Sequence, residues 1–366
     1  MKNELFLWLL LMWPSGLSAQ PASGLFYHDA KAFRIMGRSV SESAMEQTDS
    51  MAYTRLPWSE KEVFRSELWA LGLNSAGISV RFRSNSKAIG VRWTLRNNFA
   101  MNHQAATGVR GVDLYILEGA QWRYAGTGIP GSGKENAKVL IAGMNNDEKE
   151  FLLNLPLYDG VVKLEIGIDS TACIGTPLSP LPLAKKPMVC YGTSITQGGC
   201  ASRPGMAYPA ILARRLQRET INLGFSGNAR MDPSIGALMA QIDAGAYLVD
   251  CLANCTQEVV EQLGYGFILT LLEARPAVPL YMVEHPLTPA MLFSAEAAQA
   301  INKKNQSWRA IYERLHGQGY KNLFYIPADE LTGMDAEATV DGAHLTDLGF
   351  LRMAEVLGRY LFPNAH

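Results

Sequence analysis

Between Gly24 and Asp169 the apolar residues fall on alternate positions. Ile78, Val80 and Phe82 alternate with polar neighbours, as do Ile89, Val91, Trp93 and Leu95, then Val112, Leu114 and Ile116, and finally Leu164, Ile166 and Ile168. A period of two puts every apolar side chain of a segment on one face, which is the signature of a half-buried strand. Turn residues punctuate the series at Ser84-Asn85-Ser86, Pro130-Gly131-Ser132-Gly133 and Tyr158-Asp159-Gly160. No long stretch of period 3.6 intervenes, so residues 24–172 predict an all-β, jelly-roll-like antiparallel sandwich. Trp122 and Tyr124 alternate within one of its strands. Stacking on sugar rings is one reading of that pair, and packing in the core or across strands is the commoner use of such residues.

The pattern changes after Pro187. Short apolar runs at 188–191, 220–223, 247–253, 280–283 and 323–326 alternate with helical periodicity at 206–218, 235–242, 257–274, 295–316 and 348–361. Five strands separated by helices predict a parallel, three-layer α/β domain over residues 188–366. The joining segment, 173–187, has four prolines between Pro177 and Pro187 and reads as a stiff linker holding two domains at a fixed separation.

Composition narrows the partners. With 33 Lys and Arg against 34 Asp and Glu in 366 residues, the net charge is −1. No basic stripe points to nucleic acid, and a neutral small molecule or glycan fits better. Lys2, the apolar run Leu5–Trp13 and the small residues Ser18-Ala19 read as a signal peptide over residues 1–19, so the chain is expected to be secreted or periplasmic. No stretch predicts a membrane span, since about 20 apolar residues are needed. Export permits disulfides, and Cys200 and Cys255 both follow apolar runs, so a bridge between them is conceivable. The cysteines lack zinc-type spacing, so neither a metal nor another cofactor is expected. The oligomeric state is not legible.

In a parallel sheet the carboxyl ends of all strands share one edge, which makes the loops that follow them candidates for a single site. Those loops hold Ser194 in Gly192-Thr193-Ser194, Gly224 in Asn222-Leu223-Gly224, Asn254, the pair Glu284 and His285, and Asp341-Gly342-Ala343-His344. A serine needs a base to take its proton, and the base needs an acceptor to fix its tautomer. His344 and Asp341 supply both within four residues. Donors for a developing oxyanion are expected from the Ser194 and Gly224 N–H groups and the Asn254 amide. His285 is the rival base, but it lacks a carboxylate in the required order. Glu284, His285 and Arg203 are candidates for substrate contacts, and Asn254 could instead be a helix cap. His28, His103, His316 and His366 read as surface or packing residues.

Taken in order, Gly-Thr-Ser-Ile-Thr, Asn-x-Gly, Ala-Asn and Asp-x-x-His resemble the SGNH (GDSL-like) hydrolase superfamily over residues 188–362. The resemblance implies a flavodoxin-like fold with Ser194 as nucleophile, His344 as base, Asp341 as its orienting acid, and Gly224 and Asn254 in the oxyanion hole. A preceding β-sandwich is similar to the arrangement of secreted bacterial carbohydrate esterases. The implied reaction is removal of a small acyl group, acetyl first of all, from a carbohydrate, without a cofactor. A lipase or thioesterase of the same family and a non-catalytic glycan-binding protein are the alternatives. Two positions depart from the family pattern: Thr193 and Cys255 stand where aspartates are common.

Overall fold

The computed structural model describes residues 24–40, 49–178, 185–328 and 330–361. The signal segment, His366 and residues 179–184 of the expected linker lie outside them. The first half of the chain forms strands β1 (Leu25–Asp29), β2 (Arg34–Met36), β3 (Ser79–Ser84), β4 (Ile89–Leu95), β5 (Val112–Glu118), β6 (Gln121–Gly128), β7 (Glu135–Ile141), β8 (Lys149–Asn154), β9 (Val161–Asp169) and β10 (Ile174–Gly175). They build two antiparallel sheets, ordered β1-β9-β4-β7 and β10-β3-β8-β5-β6, with β2 also pairing β3. The alternating residues face each other as one core: Ile78, Val80, Phe82, Val91, Trp93, Val112, Leu114, Phe151, Leu164 and Ile166 are buried together. The sandwich is not purely β. Helices α1 (Ser66–Gly72) and α2 (Ala106–Val109) lie in its connections, too short to leave a visible period.

The second half is a five-stranded parallel sheet of β11 (Met188–Gly192), β12 (Thr220–Gly224), β13 (Ala246–Asp250), β14 (Leu280–Val283) and β15 (Leu323–Ile326), in the order β12-β11-β13-β14-β15. This is the flavodoxin-like order, in which ligands bind outside the carboxyl ends where the strand order reverses beside β11. Every residue of β11, β12 and β13 is buried, as expected of strands covered on both faces. The helices are α3 (Ser194–Gln197), α4 (Tyr208–Leu216), α5 (Pro233–Gln241), α6 (Gln257–Ala274), α7 (Pro289–Phe293), α8 (Ala295–Gly317) and α9 (Asp347–Leu361). On α9 the buried residues include Phe350, Met353, Leu357 and Leu361, spaced three or four apart as one helix face requires.

The expected separation between domains is absent, because the two halves share their cores. Met51, Leu56, Phe64, Leu68 and Trp69, from the connection between β2 and β3, pack into the apolar layer that also holds Val189, Leu223 and Phe225. Leu157 and Tyr158, just before β9, pack with Ile195 and Ala207. The start of the expected linker also belongs to the sandwich, since Ile174 and Gly175 pair with Ser84 and Arg83. Arg55, fully buried, joins the halves directly. Its guanidinium donates to the carbonyls of Asn74 (3.2 Å) and Leu71 (2.6 Å) on one side and to those of Asn222 (3.1 Å) and Gly224 (2.5 Å) on the other.

Candidate active site

The sheet register puts Gly192, Gly224 and Asp250 side by side, so the loops leaving β11, β12 and β13 start from one level. Beyond Gly192 the chain turns at Thr193 directly into α3. Thr193 is the cap of that turn: its hydroxyl accepts the Ile195 N–H at 3.2 Å, satisfying one of the donors that a helix start leaves unpaired. A threonine thus gives this position the capping oxygen that an aspartate would supply. Ser194 follows at the first position of α3, with 7 % of its surface exposed. Its own N–H has no acceptor within the helix.

The turn is held from every side. The Asn222 amide donates to the Thr196 carbonyl (2.8 Å), and Gln197 donates to the Leu157 carbonyl (3.0 Å). Tyr158 reaches the Ser194 carbonyl (3.4 Å), and Gln104 reaches that of Gly198 (3.2 Å). Beneath it, Asp250 accepts from Thr196 (3.2 Å) and Tyr208 (3.3 Å). Burial pushes the Asp250 carboxyl up to about 7, with those two hydrogen bonds pulling partly back. Close packing demands two glycines here. A Cβ on Gly192 would come within 1.9 Å of the Thr196 hydroxyl, and one on Gly224 within 2.1 Å of the Gln197 backbone nitrogen.

Gly224 is therefore a packing residue, and the expected role in the oxyanion hole does not suit it. Its N–H already donates to the Asn222 amide oxygen at 2.8 Å. The next glycine in the same loop is placed differently. Gly227 is exposed, has a left-handed backbone (φ +70°), and faces open space where a Cβ would stand. The loop around it is fastened at both ends: Ser226 N–H donates to the Gln197 amide oxygen (3.0 Å), and Ala229 N–H donates to the Asn254 amide oxygen (3.4 Å). Accepting through its oxygen commits Asn254 to offering its NH2 group elsewhere. Asn254 is not the cap of α6, because Thr256 takes that part, accepting the Val259 N–H. Cys255 donates its thiol to the Ala229 carbonyl (3.5 Å), holding the same loop from the other side.

The base lies across the turn. His344 Nδ1 and Asp341 Oδ2 are 2.7 Å apart, and Asp341 Oδ1 accepts the N–H groups of Ala343 (3.0 Å) and His344 (2.8 Å). Partial burial works to raise the Asp341 carboxyl, but the bonds from His344 and Ala343 outweigh it and bring it down to about 2. A permanent anion on Nδ1 leaves Nε2 as the free, basic nitrogen. The imidazole lies against the nucleophile turn: Gly199 donates to the Ser194 carbonyl (2.7 Å), and a Cβ on Gly199 would be 3.1 Å from both that oxygen and His344 Cδ2. Ser202 ties the same turn to the start of α9, its hydroxyl 2.5 Å from an Asp347 oxygen.

The remaining candidates serve elsewhere. His285 is buried, its Nδ1 2.8 Å from the Pro286 carbonyl, and burial and the nearby Lys304 hold it down to about 4. Glu284 braces the end of β14, accepting from Arg309 (2.8 Å), Tyr325 (2.6 Å) and Ala328 N–H (2.8 Å). Arg203 is taken up by the sandwich, donating to Asp113 (2.7 Å) and Tyr115 (2.6 Å), with its guanidinium 4.0 Å from the Tyr124 ring centre. Trp122 likewise sits against Arg81, and Tyr124 packs edge-on against Tyr115 across the β5–β6 pair, the cross-strand packing expected of such residues. The conceivable Cys200–Cys255 bridge does not form, and all five described cysteines are free. Burial pushes the Cys200 thiol up to about 11, so it is no competing nucleophile. His103, expected at the surface or in packing, instead stacks obliquely on His344 with ring centres 5.4 Å apart. It arrives from the sandwich on a loop whose Asn97, Asn98 and Phe99 N–H groups are all bound by buried Asp159.

A parallel α/β sheet with a capped serine turn at its reversal point, and a carboxylate-oriented histidine against that turn, has the arrangement expected of a hydrolase domain. The comparisons with known proteins agree. Residues 185–362 match the GDSL-like lipase/acylhydrolase family, and residues 25–174 match the N-terminal region of SGNH-hydrolase-type esterases. A crystal structure of a protein from Bacteroides ovatus described as a GDSL-like lipase is 34 % identical, with a TM-score of 0.86 over 93 % of this chain and 97 % of that one. The chain belongs to the GDSL-like, SGNH-type hydrolase family and is a carboxylic ester hydrolase. Two more distant structures share its fold. A salicylyl-acyltransferase from a tetracycline biosynthetic pathway has 16 % identity and a TM-score of 0.74 over 92 % of this chain and 96 % of that one. An acetyl xylan esterase from Butyrivibrio proteoclasticus has 13 % identity and a TM-score of 0.56 over 93 % and 98 %. No curated protein sequence matches the chain. Among the described residues no helix is long and apolar enough to cross a membrane.

Proposed function

We propose that this chain is an exported esterase that removes a short acyl group, acetyl first of all, from a carbohydrate through an acyl-enzyme. Ser194 Oγ attacks the ester carbonyl carbon while His344 Nε2 takes its proton, and Asp341 stabilises the resulting imidazolium through Nδ1–H. The tetrahedral oxyanion is received by the N–H groups of Ser194 and Gly227 and by the Asn254 NH2. His344 then gives its proton to the departing sugar alcohol. In the second half of the reaction it deprotonates the water that releases the acid.

The observation that carries this reading is the His344–Asp341 pair lying against the Ser194 turn, with Gly227 and Asn254 on the neighbouring strand ends. A polar rim supports a sugar as the alcohol: His103 and its neighbour Asn102 border the site from the sandwich side. The small exposure of Ser194 supports a short acyl group. Release of acetate from acetylated polysaccharides, together with a chain-length series of aryl esters, tests the substrate. Rates highest for acetate and falling beyond butyrate are expected; rates rising with chain length would replace this reading with a lipase. A Ser194→Ala protein as fast as wild type would remove the nucleophile assignment altogether.

A further inference from the structure

His103, Cys200 and His344 meet at one point, each offering one ligand atom, all within 4.8 Å of one another. We propose that these three side chains form a reversible inhibitory site for a thiophilic divalent cation of the zinc class. The histidines are already oriented for it. His344 Nδ1 is engaged by the Asp341 carboxylate at 2.7 Å, and His103 Nδ1 by the Asn102 amide oxygen at 3.0 Å. An oxygen acceptor on Nδ1 requires the proton there and leaves the lone pair on Nε2. Metal-binding histidines are held in the same manner by an outer carboxylate or carbonyl.

Cys200 supplies an independent argument. It is a buried non-glycine residue in left-handed backbone, φ +72°, directly after two glycines. That conformation is disfavoured for any residue with a Cβ, so the turn would be relaxed by a third glycine, yet it carries a thiol among two imidazoles. One thiolate and two imidazoles suit zinc and disfavour magnesium or calcium, which prefer oxygen. Tetrahedral zinc would bring its ligands to roughly 3.3–3.6 Å from one another. His103, at the exposed end of a sandwich loop, can make that closure. On binding, Cys200 releases its proton to solvent, and the fourth position is left to water.

Inhibition follows from which atom is shared. The metal takes the Nε2 lone pair of His344, which is the one that accepts the Ser194 proton in the proposed mechanism. The inhibitory half of the inference therefore rests on that mechanism; the coordination does not. Chelator-treated full-length protein titrated with Co2+ should show a thiolate-to-cobalt charge-transfer band in the near ultraviolet. Cys200→Ser should abolish the band, and His103→Ala, a change in an exposed loop, should weaken metal binding by at least the roughly 10–100-fold that loss of an outer-shell partner costs. In parallel, Zn2+ at ten times its Kd should cut aryl acetate hydrolysis to about one tenth, with full recovery on chelation and no effect of Mg2+. Each variant is scored against its own metal-free rate. No cobalt band, or a band that survives Cys200→Ser, would overturn the site. Zinc inhibition with an unchanged midpoint in both variants would place the effect elsewhere and overturn the inhibitory role. If the metal-free protein hydrolyses no ester, the proposed function fails while the cobalt titration still decides the site.

Discussion

The two sides of the catalytic cleft are held in opposite ways. Around Ser194 the turn is fastened by buried side chains from both halves of the molecule: Asn222, Gln197 and Tyr208 from the α/β half, Gln104 and Tyr158 from the sandwich. Opposite it, His344 and Asp341 sit on a partly exposed loop, their side chains 27 % and 37 % accessible, and orient each other within four residues. The proposed nucleophile is a product of the whole fold, whereas the proposed base is a product of one loop. Disturbing the first should cost stability together with activity, and disturbing the second should cost activity with little stability.

The largest effects come from the reacting groups. Ser194→Ala and His344→Ala should each lower kcat on the order of 10^5–10^6-fold, as for nucleophiles and bases that act as one unit, and steady-state hydrolysis of an aryl acetate measures it. Asp341→Asn should follow, losing on the order of 10^3–10^4-fold with a thermal midpoint lowered far less than by a core mutant. A fall in Tm comparable to that of a core mutant would break the contrast between the two sides. With its carboxyl depressed to about 2, Asp341 stays ionised as pH is lowered to about 4. Its contribution to the folded state is present above the ordinary aspartate range and is lost only as pH falls through about 2. Titration of Asp341 should therefore contribute no limb to the rate profile above about pH 4.

On the other side, Gly224→Ala forces a Cβ to within 2.1 Å of the Gln197 nitrogen and should cost about 3 kcal/mol of unfolding free energy, read from urea denaturation. Wild-type stability in this variant would mean that the turn is not fold-held. The smallest effect concerns Asp250. Its folded pKa of about 7 lies above the unfolded value, so the folded state binds more protons between about pH 4 and 7. Stability therefore declines as pH rises through that window and levels off above it. Asp250→Asn keeps an acceptor for Thr196 and Tyr208, and should flatten that decline and raise stability at pH 8 by about 1–3 kcal/mol. An unchanged pH slope in the variant would show that another group titrates there.

What could be read from the chain divides along the same line. Ser194, Asn254, Asp341 and His344 each follow an apolar run, and a parallel sheet is bound to bring such loops to one edge. The choice between Gly224 and Gly227 was not legible. Both are glycines within four residues of one strand end, and only the register, which sets Gly224 against the Gln197 backbone, distinguishes packing from an open donor. Arg203 and Glu284 looked like ligands because charged residues near a site resemble one another until their partners are known, and here those partners lie 90 and 25 residues away. His103 gave no local signal at all. Its place beside His344 is set by a sandwich loop bound to Asp159, a contact between segments that no periodicity joins. The short helices at 66–72 and 106–109 escaped because a turn or two of helix leaves too few positions to define a period.

Arg55 bears on how such a protein could have been assembled. A guanidinium that donates simultaneously to four carbonyls, two from each half, cannot be satisfied by either half alone, and a cut between the halves would strip it of two of its four acceptors. The sandwich is therefore not a portable cassette. Exchanging it for another β-sandwich, or expressing residues 185–362 without it, severs the molecule through its interior, and heating should melt both halves in one cooperative step.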